Sequence, residues 1–156
     1  MENYMKLEIL SKSENEGFAR SAVAAFALSL NPSLSELSDI KTAVSEAVTN
    51  CVVHAYKNGE GRIFIECTTQ TLSECEGVLH IAVTDEGCGI EDTDKATLPF
   101  FTTLENEERS GMGFTIMQTF MSGFSLTSGK GKGTTVRMSK KICAVERVEE
   151  RERVDA

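Results

Sequence analysis

The segment from Ser35 to Tyr56 places the strongest constraint on the fold. Ile40, Val44, Ala47, Val48, Cys51 and Val52 recur at helical spacing, so a long helix starting at Ser35 or Ser38 has one apolar stripe to bury. A shorter helix precedes it. Its apolar positions are Phe18, Val23, Phe26 and Leu30; Ser13-Glu14-Asn15-Glu16 supplies a cap and first-turn acids, and Asn31-Pro32 ends it, because proline disfavours helix in the residue before it. Around these helices lie segments rich in β-formers: Met5–Leu10, Arg62–Thr69, Val78–Thr84, Phe124–Ser128 and Thr134–Ser139. The middle pair reads as a hairpin with a long tip, and the last pair is joined by the glycine turn 129–133. A short apolar helix, Phe114 to Met121, follows Gly111-Met112-Gly113. The fold is mixed α and β.

A length of 156 residues is one ordinary domain. Its expected span is 1–141, with 142–156 a solvated tail crowded with Glu and Arg around isolated valines. Lys and Arg number 16 and Asp and Glu 24, so the net charge is 16 − 24 = −8. That balance repels phosphate backbones and anionic lipid, which excludes direct nucleic-acid or membrane-surface binding as the expected role. No apolar run reaches membrane-spanning length, and Met1-Glu2-Asn3-Tyr4-Met5-Lys6 lacks a signal-peptide pattern, so a cytoplasmic protein is expected. The five cysteines, Cys51, Cys67, Cys75, Cys88 and Cys143, show no C-x-x-C spacing and read as reduced, mostly buried small hydrophobes.

Candidate chemistry gathers in four places. On the long helix Glu46 and Asn50 stand four apart, on a stripe with Thr42 and His54 that lies away from the apolar one. Such a pair is commonly just solvated. Its functional reading is Asn50 as an oxygen ligand for Mg²⁺, with Glu46 orienting or deprotonating a nucleophile. Asp85-Glu86-Gly87-Cys88-Gly89 follows an apolar strand, which puts a carboxylate at the strand end and glycines where a ligand can approach the backbone. Any acidic turn can produce that string; the specific reading has Asp85 accepting a hydrogen bond from an exocyclic amine such as that of adenine. Gly111-Met112-Gly113 at a helix start would offer free N–H groups to phosphate, with Arg109 just before it, and Gly131-Lys132-Gly133-Thr134-Thr135 turns between strands. Each is ambiguous alone, but their order along the chain is not.

Ser45-Glu46-Ala47-Val48-Thr49-Asn50, Asp85-x-Gly87-x-Gly89, Gly111-x-Gly113 and Gly133-Thr134-Thr135 resemble the asparagine box and glycine boxes of the gyrase, Hsp90, histidine kinase and MutL ATPase superfamily. The resemblance runs from about residue 5 to about residue 140. Within that superfamily, Phe18-Ala19-Arg20, Phe101-Thr102-Thr103 and the run from Glu108 to Met117 closely resemble the sporulation anti-sigma F factors, small serine kinases. The resemblance implies an α+β, Bergerat-type two-layer sandwich, a mixed sheet with helices on one face, and ATP held between the helices and a lid over about 93–110.

It further implies Glu46 as general base, Asn50 as Mg²⁺ ligand, Asp85 as adenine reader and Gly87 and Gly89 as ring-side glycines. Thr102, Thr103, Arg109, Ser110, Gly111 and Gly113 fall on the lid and phosphate side, with Thr134 closing the adenine side. Leu104 stands where related chains often carry a basic residue. Arg20 would lie on the surface that docks the partners: a sporulation sigma factor, and an anti-anti-sigma protein that is also the substrate. A homodimer is implied too. Four other readings stay open here: an anti-sigma serine kinase of the general stress response, a non-catalytic nucleotide-dependent sigma clamp, an ordinary α/β core in which the glycines and acids are only turns and caps, and a detached histidine-kinase catalytic domain. Against the last, His54 and His80 are the only histidines and neither sits on a phosphoacceptor helix pair.

Overall fold

The computed structural model describes residues 2–56, 59–98 and 112–143. In chain order they form β1 (Asn3–Leu10), α1 (Glu14–Ala27), a 3₁₀ turn (Leu28–Leu30), α2 (Leu34–Asn50), a π-helical turn (Cys51–Ala55), β2 (Arg62–Thr71), β3 (Glu76–Asp85), α3 (Thr93–Ala96), α4 (Gly113–Phe120), β4 (Gly123–Ser128) and β5 (Thr134–Cys143). The strands make one five-stranded sheet in the order β1-β2-β3-β5-β4. Every pairing among the described residues is antiparallel, a narrower outcome than the mixed sheet that the resemblance implied.

Alternation along the strands decides which face is covered. Ile63, Ile65 and Cys67 of β2, Leu79, Ile81 and Val83 of β3, and Val136, Met138 and Ile142 of β5 are buried on one side. Against them the helices bring Ala19, Val23 and Ala27 of α1, Ile40, Val44, Ala47 and Val48 of α2, and Met117 of α4. The other face carries ion pairs, Lys6–Glu66 at 3.5 Å and Arg62–Glu8 at 3.0 Å. The helix layer is locked at its far end by Lys140, whose ammonium donates to Asp39 on α2 at 2.9 Å and to the Phe120 carbonyl that closes α4 at 2.7 Å.

Several local expectations change. Helix α2 begins one residue before Ser35, because Ser33 and Glu36 form a capping box. The Ser33 hydroxyl accepts from Glu36 N–H at 3.1 Å, and the Glu36 carboxylate accepts from Ser33 N–H at 2.9 Å. The same carboxylate accepts from Cys143 N–H at 3.0 Å, tying the helix start to the end of β5. Replacing Ser33 by alanine is expected to cost about 1 kcal/mol and lower Tm by about 2–4 °C in a calorimetric melt. Ser13, expected to cap α1, makes no side-chain cap bond, since its backbone is already helical and points the hydroxyl elsewhere.

The β2–β3 tip is tight rather than long. Pairing persists to Thr71↔Gly77, and the amides of Leu72 and Ser73 both reach the Glu76 carbonyl. β5 continues to Cys143, past the expected domain limit at 141. Of the five cysteines only Cys51 and Cys67 are buried; Cys75, Cys88 and Cys143 are exposed, because they fall in a turn, a loop and a strand end instead of on core-facing positions.

Candidate functional site

Helix α2 presents Glu46 and Asn50 one turn apart, half-buried instead of on an open face. Their cover is α4. Its first residue, Gly113, lies so close that a Cβ there would stand 3.2 Å from Asn50 Nδ2 and 3.3 Å from Glu46 Oε2. Met112, at the N-cap, provides no side-chain cap bond, so α4 starts beside an acid and a carboxamide without a capping side chain of its own. The structure thus brings Gly113, from a distant part of the chain, up against the neighbouring pair Glu46 and Asn50.

Beyond Asn50 the helix widens into its π-helical turn, which shifts the following residues off the i, i+4 rows of α2. The long helix expected to run to Tyr56 therefore ends as α-helix at Asn50. The wider turn directs main-chain carbonyls at the acidic loop: Ala55 C=O accepts from Cys88 N–H at 3.0 Å, and His54 C=O accepts from the Cys88 thiol at 3.3 Å. Gly87 rests on the same turn, with its would-be Cβ 2.4 Å from the Ala55 oxygen.

Asp85 ends β3 and is only 5% exposed. Its Oδ1 accepts from Gly87 N–H at 2.9 Å, and its Oδ2 accepts from the Cys51 thiol at 3.5 Å. Burial pushes the Asp85 carboxyl above the usual carboxylate range, against the lowering pull of the bonds from Gly87, Cys51 and the Thr134 backbone. Burial and the neighbouring Asp85 push the Cys51 thiol well up, so it stays protonated and serves as a donor. Thr134 faces Asp85 across the β3–β5 ladder.

Gly89 has φ +74°, and a Cβ would fall 1.9 Å from the Gly129 oxygen. The β4–β5 turn is thereby clamped to the acidic loop, with Gly131 N–H donating to Cys88 C=O at 2.6 Å. Gly89→Ala is expected to be strained in backbone and blocked sterically, lowering Tm and abolishing ligand-induced stabilisation in thermal-shift measurements.

Arg20 is exposed on α1 and pairs with Glu16 at 3.3 Å; it is not one of the residues gathered here. Thr102, Thr103, Leu104, Arg109, Ser110 and Gly111 lie outside the described residues, as does most of the expected lid. α3, inside the stretch expected to be loop, is a single turn capped by the Asp92 carboxylate, which accepts from Lys95 N–H at 3.0 Å.

Sequence reasoning missed three contributors. Cys51 was read as a core hydrophobe, though its spacing from Asn50 carries it onto Asp85. Ser128 binds Ile90 N–H at 2.7 Å, the Gly133 carbonyl at 2.8 Å and Thr134 Oγ1 at 2.8 Å, joining the acidic loop to the β4–β5 turn. Tyr56 accepts from Glu86 N–H at 2.7 Å and donates to Arg62 C=O at 2.6 Å. A serine at a strand end and a tyrosine at a helix end are local signals. Which backbone groups they reach is set by tertiary structure.

A helix layer on one antiparallel face, an acid–amide pair beneath the start of α4 and a buried aspartate above a glycine loop are the marks of an ATP-binding module. The family model for the histidine kinase-like ATPase domain matches residues 10–140. The chain is 56% identical over 140 residues to the anti-sigma F factor of Caldanaerobacter subterraneus subsp. tengcongensis, covering 90% of this chain and 94% of that one. It is 55% identical over 142 residues to the anti-sigma F factor of Clostridium botulinum strain Eklund 17B, covering 90% and 96% respectively. The chain belongs to the anti-sigma F factor family. In fold it also matches a crystal structure of the RsbU and RsbW domains of a Mycobacterium tuberculosis protein, with a TM-score of 0.65 at 17% identity, over 93% of this chain and 34% of that one. Among the described residues no helix is long and apolar enough to cross a membrane.

Proposed function

We propose that this anti-sigma F family member is a cytoplasmic, homodimeric serine kinase that holds a sporulation sigma factor when ATP-bound and phosphorylates a serine of its anti-anti-sigma antagonist. The carrying observation is the approach of Gly113 to both Glu46 and Asn50, which sets the first turn of α4 over the one acid and the one carboxamide that the chemistry needs. A side-chain oxygen at a helix start without a side-chain cap suits Mg²⁺ and phosphate together, since Mg²⁺ prefers oxygen and is commonly shared between protein and phosphate ligands. In this reading Asn50 would hold the metal, which when bound would supply positive charge beside the phosphates.

Glu46 takes the proton of the incoming serine hydroxyl as its oxygen bonds to the γ-phosphorus and ADP leaves. Asp85 accepts from the adenine amine, Gly87 and Gly89 let the acidic loop beside it pack on Ala55 and Gly129, and Thr134 fixes the strand next to it. Arg109, Ser110, Gly111, Thr102 and Thr103 serve the phosphate side. Arg20 belongs to the docking surface for both partners. The net charge of −8 suits partners with basic surfaces, as a DNA-binding sigma factor has.

The test is to incubate the protein with Mg²⁺, γ-labelled ATP and size-fractionated lysate from sporulating cells. One small protein carrying acid-stable, alkali-labile phosphate supports the reading. Acid-labile label would point to a histidine-kinase module, and ATP binding without any labelled acceptor would point to a clamp.

A further inference from the structure

Cys51 sits at the joint of the site: it follows Asn50 directly, opens the π-helical turn, and its thiol reaches Oδ2 of Asp85 at 3.5 Å. We propose that Cys51 is a positioning residue for purine recognition, fixing the orientation of the Asp85 carboxylate so that one lone pair stays aimed at the exocyclic amine of the base. The inference rests on the reading of Asp85 as the adenine acceptor.

The geometry is that of a carboxylate held at both oxygens. Gly87 N–H fixes Oδ1 at 2.9 Å and the thiol fixes Oδ2, so rotation about the Cβ–Cγ bond breaks two contacts at once. Both residues are only 5% exposed, which leaves water little room to replace the thiol. A residue that only filled space at this position would be indifferent to whether it carries a donor. A residue that orients Asp85 matters only to ligands that use Asp85.

That difference sets the experiment. Binding of ATP and of purine riboside triphosphate, which lacks the 6-amino group, is measured by calorimetry with Mg²⁺ on the wild type and on Cys51→Ser, Cys51→Ala and Cys51→Val. The wild type is expected to prefer ATP. Cys51→Ala and Cys51→Val, which change the volume in opposite directions but both lack a donor, should each lose about tenfold in ATP affinity while binding the deaminated analogue within about twofold of wild type. Cys51→Ser, which keeps a donor, should retain most of the preference. If ATP and the analogue weaken together, or if alanine and valine leave the preference intact, Cys51 is a packing residue and the proposal fails. If the wild type itself makes no distinction between the two nucleotides, the reading of Asp85 falls first and the role of Cys51 falls with it. Should one donorless variant fail to fold, the other and the serine variant still separate these outcomes.

Discussion

Replacing Glu46 by glutamine is expected to leave Mg-ATP binding nearly unchanged while cutting phosphoryl transfer to the antagonist by about 10²–10⁴-fold, the usual worth of a positioned general base. Glutamine has the shape of glutamate and keeps the contact under Gly113, so the closure of α4 over α2 should survive. What disappears, on the proposed mechanism, is the ability to take the serine proton. Calorimetry for ATP and single-turnover transfer of labelled phosphate separate the two effects. Transfer at the wild-type rate would remove Glu46 from the mechanism. Loss of ATP binding in parallel would make it a structural residue of the nucleotide site. On the proposed reading, in which bound nucleotide alone supports the hold on the sigma factor, the variant should still retain the sigma factor in the presence of ATP while leaving the antagonist unphosphorylated.

Asp85→Asn carries the second large effect, on binding rather than transfer. The carboxamide has one acceptor where the carboxylate has two, and in one orientation it presents an NH₂ to the Gly87 N–H, in the other to Cys51 or the base. Hydrogen bonds to a charged group are worth about 1.5–3 kcal/mol, so ATP affinity should fall by roughly 10- to 100-fold. The fold should hold, because a buried carboxylate whose burial already disfavours its charge gains from neutralisation. Calorimetric titration together with a thermal melt checks both halves. Unaltered ATP affinity in a folded Asp85→Asn protein would place the adenine elsewhere.

Much of this architecture is legible in the sequence, for physical reasons that can be named. Ile63, Ile65 and Cys67 alternate with Phe64, Glu66 and Thr68, and that period dictates a strand covered on one face. Ile40, Val44, Ala47 and Val48 dictate the helix that covers it. Glu46 and Asn50 are legible as neighbours because four residues is close to one helical turn.

What stayed hidden depends on backbone groups meeting across long separations. Nothing in Cys51-Val52-Val53-His54-Ala55 announces a π-helical turn; its shape accompanies the bond from Cys88 N–H to the Ala55 carbonyl, supplied by a loop more than thirty residues further on. The cap of α2 was readable in Ser33-Leu34-Ser35-Glu36 as a serine followed three residues later by glutamate, but the neighbouring serines at 35 and 38 competed for the same role. Among the described residues every strand pairing is antiparallel, in the order β1-β2-β3-β5-β4, and neither the order nor the directions can be deduced from strand propensities. The approach of Gly113 to Glu46 and Asn50 is of the same kind: each motif is visible in the chain, and only the fold shows that they lie side by side.

In the proposed function Glu46, Asn50, Asp85 and Gly113 form a single ATP site. One measurement addresses it: the thermal unfolding of the wild type and of Asp85→Asn, each with and without millimolar Mg-ATP. A ligand bound by the native state alone stabilises by about 2.7 kcal/mol at one hundred times its Kd. The wild type should therefore melt several degrees higher with nucleotide, and Asp85→Asn, with roughly 10- to 100-fold weaker binding, should melt cooperatively with at most about half that shift. An unshifted wild-type melt at saturating Mg-ATP, or an equal shift in both proteins, would contradict the site described above.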